Sequence, residues 1–274
     1  MLGSNYKYQG MKIAIIGAGN LGLSIAKGIL GTNGATSMVL TKRDLSGLKE
    51  VEKYGNVSTT TNNREAVSKA DVLIFAVQPG QFVKILEEVK DLLTQEHVVI
   101  STITGFSISR MEEVIGKDHS IIRAMPNTAI SVGKSMTCIC NNEKGASKVD
   151  LAKAIFNRMG HCMQIPEGQM QAATVICASG VAFWMRLIRA TTQGAIQLGF
   201  DAKEAQELAM HTCNGAASLL IESKSHPENE IDKVTTPRGC TISGLNEMEH
   251  QGLSSSLIRG IVASFDKINE IKKG

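Results

Sequence analysis

Between Met11 and Leu30 an unbroken apolar run, Ile13-Ala14-Ile15-Ile16, passes directly into Gly17-Ala18-Gly19-Asn20-Leu21-Gly22. A run that is apolar at every position suits a parallel strand buried on both faces. From Leu21 the period changes, and Leu21, Ile25, Ala26 and Ile29 fall at helical spacing. A strand, a glycine turn and a helix start together make a pyrophosphate site. Gly17 permits the tight turn, Gly19 lets the backbone approach the phosphates, and Gly22 lets helix and strand pack closely. The free N–H groups of the first helical turn, headed by Asn20 and Leu21, and the helix dipole favour the anion. Glycines also punctuate ordinary turns. The strand-to-helix context is what turns this spacing into an expected dinucleotide site.

The end of the second strand bears on which dinucleotide. An NAD enzyme carries Asp or Glu there, about twenty residues after the glycines, for the ribose 2′-hydroxyl. Here Met38-Val39-Leu40 ends in Thr41-Lys42-Arg43, and Asp44 follows the basic pair. A carboxylate repels a 2′-phosphate, whereas Lys and Arg bind one through charge-assisted hydrogen bonds. The expected cofactor is therefore NADPH, with NADH possible and Lys42 and Arg43 on the phosphate. The alternative is an ordinary solvated pair of loop charges.

Further along, the periods alternate as a doubly wound sheet requires. The stretches 71–77, 97–101 and 120–125 read as strands, the last stopped by Pro126-Asn127. Two short strands at 135–140 and 162–165 flank a helix from about Ala146 to Met159, and Phe82 to Leu93 has helical apolar spacing. Ligands in such sheets bind outside the carboxyl ends of the strands. That rule gathers Gly17–Gly22, Lys42-Arg43, Val77-Gln78-Pro79, Thr104-Gly105 and Met125-Pro126-Asn127-Thr128 around one crevice.

Composition narrows the class further. A length of 274 residues suits about two domains. With 43% hydrophobic and 20% charged residues, the chain has the makings of an ordinary globular core. A net charge of +3, scattered along the chain, points to neither nucleic acid nor an anionic membrane. No uninterrupted apolar stretch reads as long enough to span a bilayer. Residues 1–10 lack the apolar core of a signal peptide and read as a disordered lead-in. The six cysteines follow no framework spacing, so reduced thiols in the cytoplasm are expected. Cys138 and Cys140 would share one face of a strand, which favours packing over a metal pair. The histidines are equally scattered, and no metal site is expected.

After Pro166-Glu167-Gly168 strand signals vanish and helical patterns take over. One runs from Met170 to Leu198, a second starts at Asp201 with Glu204 as a capping box, and a third runs from about Leu253 to Ile271. Several are apolar round much of their circumference, which argues for burial against a second subunit as well as within the chain. A self-contained bundle is the alternative. The expected fold class is thus α/β: an N-terminal Rossmann-type dinucleotide-binding domain at 11–167, then an all-α dimerisation and substrate domain at 168–274. Between those helices a Pro and Gly turn precedes Cys240-Thr241 at the head of a helix. Its exposed N–H groups could bind a substrate carboxylate while a hydroxyl reaches the neighbouring group; the alternative is a simple helix cap.

The chain resembles the pyrroline-5-carboxylate reductase family from Met11 to about Ile271. The resemblance rests on I-G-A-G-N-L-G at Ile16–Gly22, F-A-V-Q-P at Phe75–Pro79, R-A-M-P-N-T at Arg123–Thr128 and V-T-T-P-R-G-C-T-I-S-G-L at Val234–Leu245. It implies NAD(P)H-dependent reduction of the C=N bond of 1-pyrroline-5-carboxylate, a cyclic imino acid, to L-proline, by a homodimer or higher homo-oligomer. Thr241 matches the catalytic threonine whose hydroxyl approaches the ring nitrogen. Val234, Thr236, Gly239 and Cys240 fall with it in the substrate loop, whose backbone would bind the carboxylate. Asn63, Val77, Gln78 and Thr104 match cofactor-lining positions, and Arg43 matches the adenosine-ribose position.

The chain also departs from that pattern. Pro237-Arg238-Gly239 replaces the family's P-G-G, Val77-Gln78-Pro79 replaces V-K-P, and Val181 replaces the proline of S-G-P-A-Y. Arg238 and Val181 leave open a related cyclic imine as substrate. A 3-hydroxyacid dehydrogenase-like enzyme is a second alternative, but that class carries a catalytic lysine on the first helix of its second domain. From Ala178 to Leu198 this chain has Arg186 and Arg189 and no lysine. A non-catalytic nucleotide-sensing protein is a third, with which an intact Thr241 loop fits poorly.

Overall fold

The computed structural model describes residues 10–273. Apart from Gly10, the expected lead-in lies outside the described residues. Eight strands are present among them: β1 (Lys12–Ile16), β2 (Ser37–Thr41), β3 (Val57–Thr60), β4 (Val72–Phe75), β5 (Val98–Ser101), β6 (Ser120–Met125), β7 (Ser135–Asn141) and β8 (Gly160–Gln164). The helices are α1 (Asn20–Leu30), α2 (Asn63–Ser68), α3 (Pro79–Val89), α4 (Ile108–Ile115), α5 (Val149–Phe156), α6 (Met170–Ala173), α7 (Gly180–Gln197), α8 (Ala202–Ser223), α9 (Pro227–Lys233), α10 (Cys240–His250) and α11 (Leu253–Lys273). One compact unit runs to Ala178 and takes in the chain from Ile268; the other is Ser179–Lys267.

In the first unit the strands form one sheet in the order β3-β2-β1-β4-β5-β6-β7-β8. The pairs from β3 to β6 are parallel, β7 runs against β6, and β8 runs parallel to β7. Every residue of β4, β5 and β6 is buried. Both faces are therefore dry, which is why these strands read as continuous apolar runs. Alternate residues of β1 feed two cores. Ile13 and Ile15 pack with Ile25 and Ile29 of α1 and Phe156 of α5, while Ala14 and Ile16 pack with Phe82 and Leu86 of α3 and Met111 of α4. Cys138 and Cys140 of β7 are both buried in the second core, as packing residues would be.

Three elements of this unit give no signal in the sequence. Strand β3, Val-Ser-Thr-Thr, lies at the sheet edge and has no fully buried residue, so nothing forces it to be apolar. Helices α2 and α4 span only 6 and 8 residues, too few turns for a clear apolar period. Each has a side-chain cap, Asn62 accepting from the Glu65 N–H and Ser107 from the Arg110 N–H.

In the second unit α7 packs along α8. Asp201 caps α8, its carboxylate accepting from the N–H groups of Lys203 at 2.8 Å and Glu204 at 3.0 Å. Many of the unit's large apolar side chains are exposed, among them Trp184, Met185, Leu198, Leu219, Ile221, Ile258 and Val262. The expectation that no uninterrupted apolar stretch has membrane length meets one borderline segment. A short 3₁₀ turn, α6, a π-helical turn at Thr174–Ser179 and α7 join into one helical run of 31 residues, Glu167–Gln197, within which an 18-residue window reaches a mean hydropathy of 1.4. By length and composition alone that run could cross a bilayer. Its polar residues, Arg186 and Arg189 among them, break the run in one dimension but not in helical hydropathy.

Asn142 ties the end of β7 to the start of β6. Its side chain is buried and fully engaged. Oδ1 accepts from the N–H groups of Ile121 at 3.0 Å and Gly145 at 2.8 Å; Nδ2 donates to Glu112 Oε1 at 3.1 Å and the His119 carbonyl at 3.0 Å. A buried donor without a partner costs about 1–3 kcal/mol. Asn142→Leu orphans two of them and is expected to lower the unfolding free energy by roughly 2–5 kcal/mol in urea titration. A change below about 0.5 kcal/mol would show that water satisfies both groups.

Candidate active site

The parallel strands end level with one another. Ile16 pairs with both Thr41 and Phe75, Thr41 with Thr60, and Phe75 with Ser101. The loops gathered by the sequence analysis in this unit thus leave one edge of the sheet. At its centre is the glycine turn. Gly17 has φ 98°, and a Cβ there would lie 2.5 Å from Val77 Cγ1 and 2.9 Å from the Ala76 carbonyl oxygen. A Cβ on Gly22 would lie 2.3 Å from the Gly17 carbonyl oxygen. Both positions are closed to any side chain. Gly19 differs: a Cβ there meets no protein atom within 4 Å. Helix α1, which Asn20 and Leu21 open, has neither a side-chain cap nor an acid in its first turn. Its amides face a space that an anion can fill.

Thr41 holds this turn, a role the sequence does not show. The Gly17 N–H donates to both the Thr41 carbonyl and Oγ1, each at 3.2 Å, and the Ala18 N–H donates to the same carbonyl at 2.7 Å. Being buried, Thr41 offers nothing to a ribose, and the next two residues carry the chemistry of the strand tip. Lys42 is half-buried beside Gly47 and Arg43 is exposed. The nearest acid turns away. The Asp44 carboxylate accepts from the Ser46 N–H and hydroxyl, both at 2.9 Å, and these bonds hold its pKa below the ordinary value.

Elsewhere on the edge, Asn63 opens α2 and donates to Glu88 at 3.3 Å. Val77 packs beside Gly17, and Gln78-Pro79 start α3, with Pro79 in the first turn where no donor is needed. The exposed Thr104 donates its hydroxyl to Met125 Sδ at 3.9 Å, and Pro126 is buried. Asn127 is also buried, with both ends of its side chain engaged. Oδ1 accepts from the Ala129 N–H and Nδ2 donates to the Cys177 carbonyl, each at 3.0 Å, while its own N–H donates to Ser135 Oγ. It braces the rim.

Beyond Thr104 a cleft of about 250 Å³ is lined by Gly105, Ser107, Arg123, Glu167, Gly168 and Gln171. Its polar end is an internal ion pair that the sequence analysis did not single out. Arg123 Nη1 donates to Glu167 Oε1 at 2.7 Å, and the same oxygen accepts from the Ile108 N–H at 2.8 Å. The arginine is buried, and among the described residues its Nε has no hydrogen-bond partner.

The substrate loop read from the sequence lies in the second unit. Thr236, Pro237, Arg238 and Gly239 form a turn closed by the Gly239 N–H on the Thr236 carbonyl at 2.9 Å. Arg238 occupies its third position at φ 61°. Gly239 then caps α10 through its backbone alone; a Cβ there would lie 2.5 Å from Thr236 Oγ1. Helix α10 begins with Cys240 and Thr241, no side chain caps its first amides, and Thr241 is half-buried. Val234 and Thr236 are exposed on the approach. An uncapped helix start with a hydroxyl in its first turn can hold a carboxylate and orient a neighbouring polar atom.

Comparison with known proteins agrees with both halves. Residues 167–271 match the model for pyrroline-5-carboxylate reductase dimerisation, and residues 12–105 match that for NADP oxidoreductase, coenzyme F420-dependent. Pyrroline-5-carboxylate reductase 2 of Dictyostelium discoideum is 42% identical, the match covering 93% of this chain and 91% of that protein. The chain belongs to the pyrroline-5-carboxylate reductase family. Pyrroline-5-carboxylate reductase 1 of the same organism is 44% identical over 93% of this chain, which spans 49% of that longer protein. A solved pyrroline-5-carboxylate reductase from Coxiella burnetii superposes with a TM-score of 0.89 at 31% identity, covering 95% of this chain and 98% of that one.

Family membership gives the Arg238 departure a physical meaning. A turn with Pro at its second position and positive φ at its third favours glycine there. The family's P-G-G meets that requirement, whereas Arg238 takes the left-handed conformation at a cost of about 1–2 kcal/mol. The turn keeps its shape even so.

The Arg123–Glu167 pair ties the first residues of the family's dimerisation segment to β6 and α4. The Arg123 side chain is buried whereas that of Glu167 is 35% exposed, so removing the glutamate strands a buried charge, at about 3 kcal/mol, the low end for a buried pair, whereas replacing both by apolar residues costs little. Glu167→Ala is expected to lower the unfolding free energy by roughly 3 kcal/mol, with most of the loss recovered in Arg123→Met/Glu167→Leu. Additive losses in the double variant, measured by urea unfolding, would show that the pair is not coupled.

Proposed function

We propose that this chain reduces 1-pyrroline-5-carboxylate to L-proline with NADPH, NADH being the weaker alternative. The observation that carries this is the joint presence, in a member of this family, of a phosphate-cradling glycine turn and an uncapped Thr241 helix start. Residues 11–167 serve as the nucleotide domain and 168–274 as the dimerisation and substrate domain.

The first unit fits NADPH. The open space over Gly19 and the amides of Asn20, Leu21 and Gly22 suit a pyrophosphate. Lys42 and Arg43 supply two cations at the strand tip for the 2′-phosphate, with Asp44 held in its own turn. Asn63, Val77, Gln78, Pro79 and Thr104 line the remaining length, with the buried Met125, Pro126 and Asn127 bracing its rim. Bound NADPH supplies the hydride, and the chain's task is to hold and orient the imine and to favour its protonated form. The amides of Gly239, Cys240 and Thr241 bind the substrate carboxylate, with Val234 and Thr236 beside it. The Thr241 hydroxyl hydrogen-bonds the ring nitrogen, donating to the neutral imine and accepting from the N–H of its protonated form, or relays a proton to it. A threonine is a weak acid, so its contribution is orientation rather than general acid catalysis.

Assembly follows from the second unit. Its exposed Trp184, Met185, Leu219, Ile221 and Val262 lie within the segment that matches the family's dimerisation model. A second copy of this chain, rather than lipid, is the natural cover for them and for the apolar run ending at Gln197. The working form is a homodimer or higher homo-oligomer in the cytoplasm, with its six cysteines as free thiols.

Thr241→Ala removes one orienting donor and leaves the helix start intact. Proline formation is expected to fall in kcat by roughly ten- to a thousandfold, with NADPH affinity nearly unchanged and much of the rate restored by Thr241→Ser. Wild-type turnover in Thr241→Ala would reduce the residue to a helix-start position and move the imine site elsewhere.

A further inference from the structure

Two cysteines meet in the first unit in an arrangement that imine reduction does not use. Cys138 stands on β7 and is 3% exposed; Cys177 lies in the π-helical turn Thr174–Ser179 and is half-buried. Their Sγ atoms are 3.9 Å apart and hydrogen-bonded. The thiols of Cys140 and Cys162 are each pushed up to about 11, chiefly by burial, and are poor nucleophiles. Cys177 differs. The hydrogen bond between the two sulfurs lowers the pKa of Cys177 and, with burial, raises that of Cys138. One sulfur is thus prepared to react and the other is held protonated beside it.

The pair is also wired to the nucleotide edge. The Cys177 carbonyl accepts from Asn127 Nδ2 at 3.0 Å, and Asn127 braces the turn after Met125-Pro126 through Ala129 and Ser135. A disulfide requires the two sulfurs to close to about 2.05 Å. Cys138 belongs to a sheet strand paired on both sides, whereas Cys177 sits in a π turn, so any backbone shift that closure needs falls on the turn. Such a shift carries the Cys177 carbonyl to which the Asn127 amide donates.

We propose that Cys138 and Cys177 form a reversible peroxide-oxidation site, closing a disulfide that displaces Asn127 and slackens the rim of the nucleotide cleft. The Cys177 thiolate attacks hydrogen peroxide; an S–O bond forms as the O–O bond breaks, and hydroxide leaves and takes up a proton as water. Cys138 sulfur then attacks the Cys177 sulfenic acid. The S–S bond forms, the S–O bond breaks, and the hydroxyl departs with the Cys138 proton as a second water. Two thiols are oxidised by two electrons and one peroxide is reduced to two waters. A dithiol reductant reverses the change by exchange.

The test uses the full chain, treated with hydrogen peroxide and then alkylated after unfolding. The expected product is lighter by two hydrogen atoms and has lost two alkylatable thiols, and non-reducing digestion joins the peptides carrying Cys138 and Cys177. Cys177→Ser and Cys138→Ala each abolish the cross-link while keeping turnover near the untreated level. In the oxidised wild type, NADPH affinity or turnover falls about tenfold or more and returns with dithiothreitol. Full alkylation of both cysteines after peroxide overturns the site. Peroxide inactivation that persists in Cys177→Ser assigns the sensitivity to another thiol, Cys240 foremost, and overturns it equally. A cross-link with unaltered NADPH affinity and turnover overturns the coupling through Asn127.

Discussion

The contact between Gly22 and the Gly17 carbonyl governs the rest of the nucleotide unit. A single added carbon on Gly22 would sit 2.3 Å from that oxygen, so α1 lies against β1 at a separation no other residue permits. That approach directs the first amides of α1 over the end of the sheet. It also delivers Ile25 and Ile29 to the same core layer as Ile13 and Ile15. Packing and ligand geometry are therefore one constraint. Thr41 completes it from the neighbouring strand, since its side chain and carbonyl together hold the Gly17-Ala18 backbone.

The second unit works by a different economy. Its helices leave large apolar side chains exposed, and its Thr236–Gly239 turn relies on backbone shape rather than side-chain networks. Proline and a left-handed residue close the Thr236–Gly239 turn, glycine removes the Cβ that would strike Thr236, and α10 starts without a side-chain cap. The family's glycine is the relaxed choice at the third position. Arg238 adds a cation beside the helix start at a conformational cost.

Much of the first unit was legible in the sequence because dry strands leave no freedom of composition. Ile13–Ile16, Val72–Phe75 and Val98–Ser101 lie between two helical layers and show it. Strand β3 did not, because an edge strand with half-exposed Thr59 and Thr60 meets no such demand. The glycines of the turn and the missing acid after β2 were visible as local chemistry. The work of Thr41 was not, because it depends on the register that sets Thr41 beside Ile16. Nor was the Arg123–Glu167 pair, whose members are 44 residues apart in sequence. The role proposed for Thr241 comes from family resemblance. Its local signal, a hydroxyl at a helix start, is shared with many ordinary caps.

Gly19 gives the most direct test of the nucleotide cradle, because its Cβ position is free of protein atoms while those of Gly17 and Gly22 are not. Gly19→Ala should leave the fold alone and intrude only on a bound pyrophosphate. Titration calorimetry with NADPH, alongside thermal unfolding of the free protein, separates the two effects. The account predicts an unchanged or slightly raised Tm, from the lower chain entropy of alanine, with NADPH affinity weakened by at least about tenfold. Wild-type affinity in a fully folded Gly19→Ala protein would contradict it, because the pyrophosphate could not then lie over the start of α1.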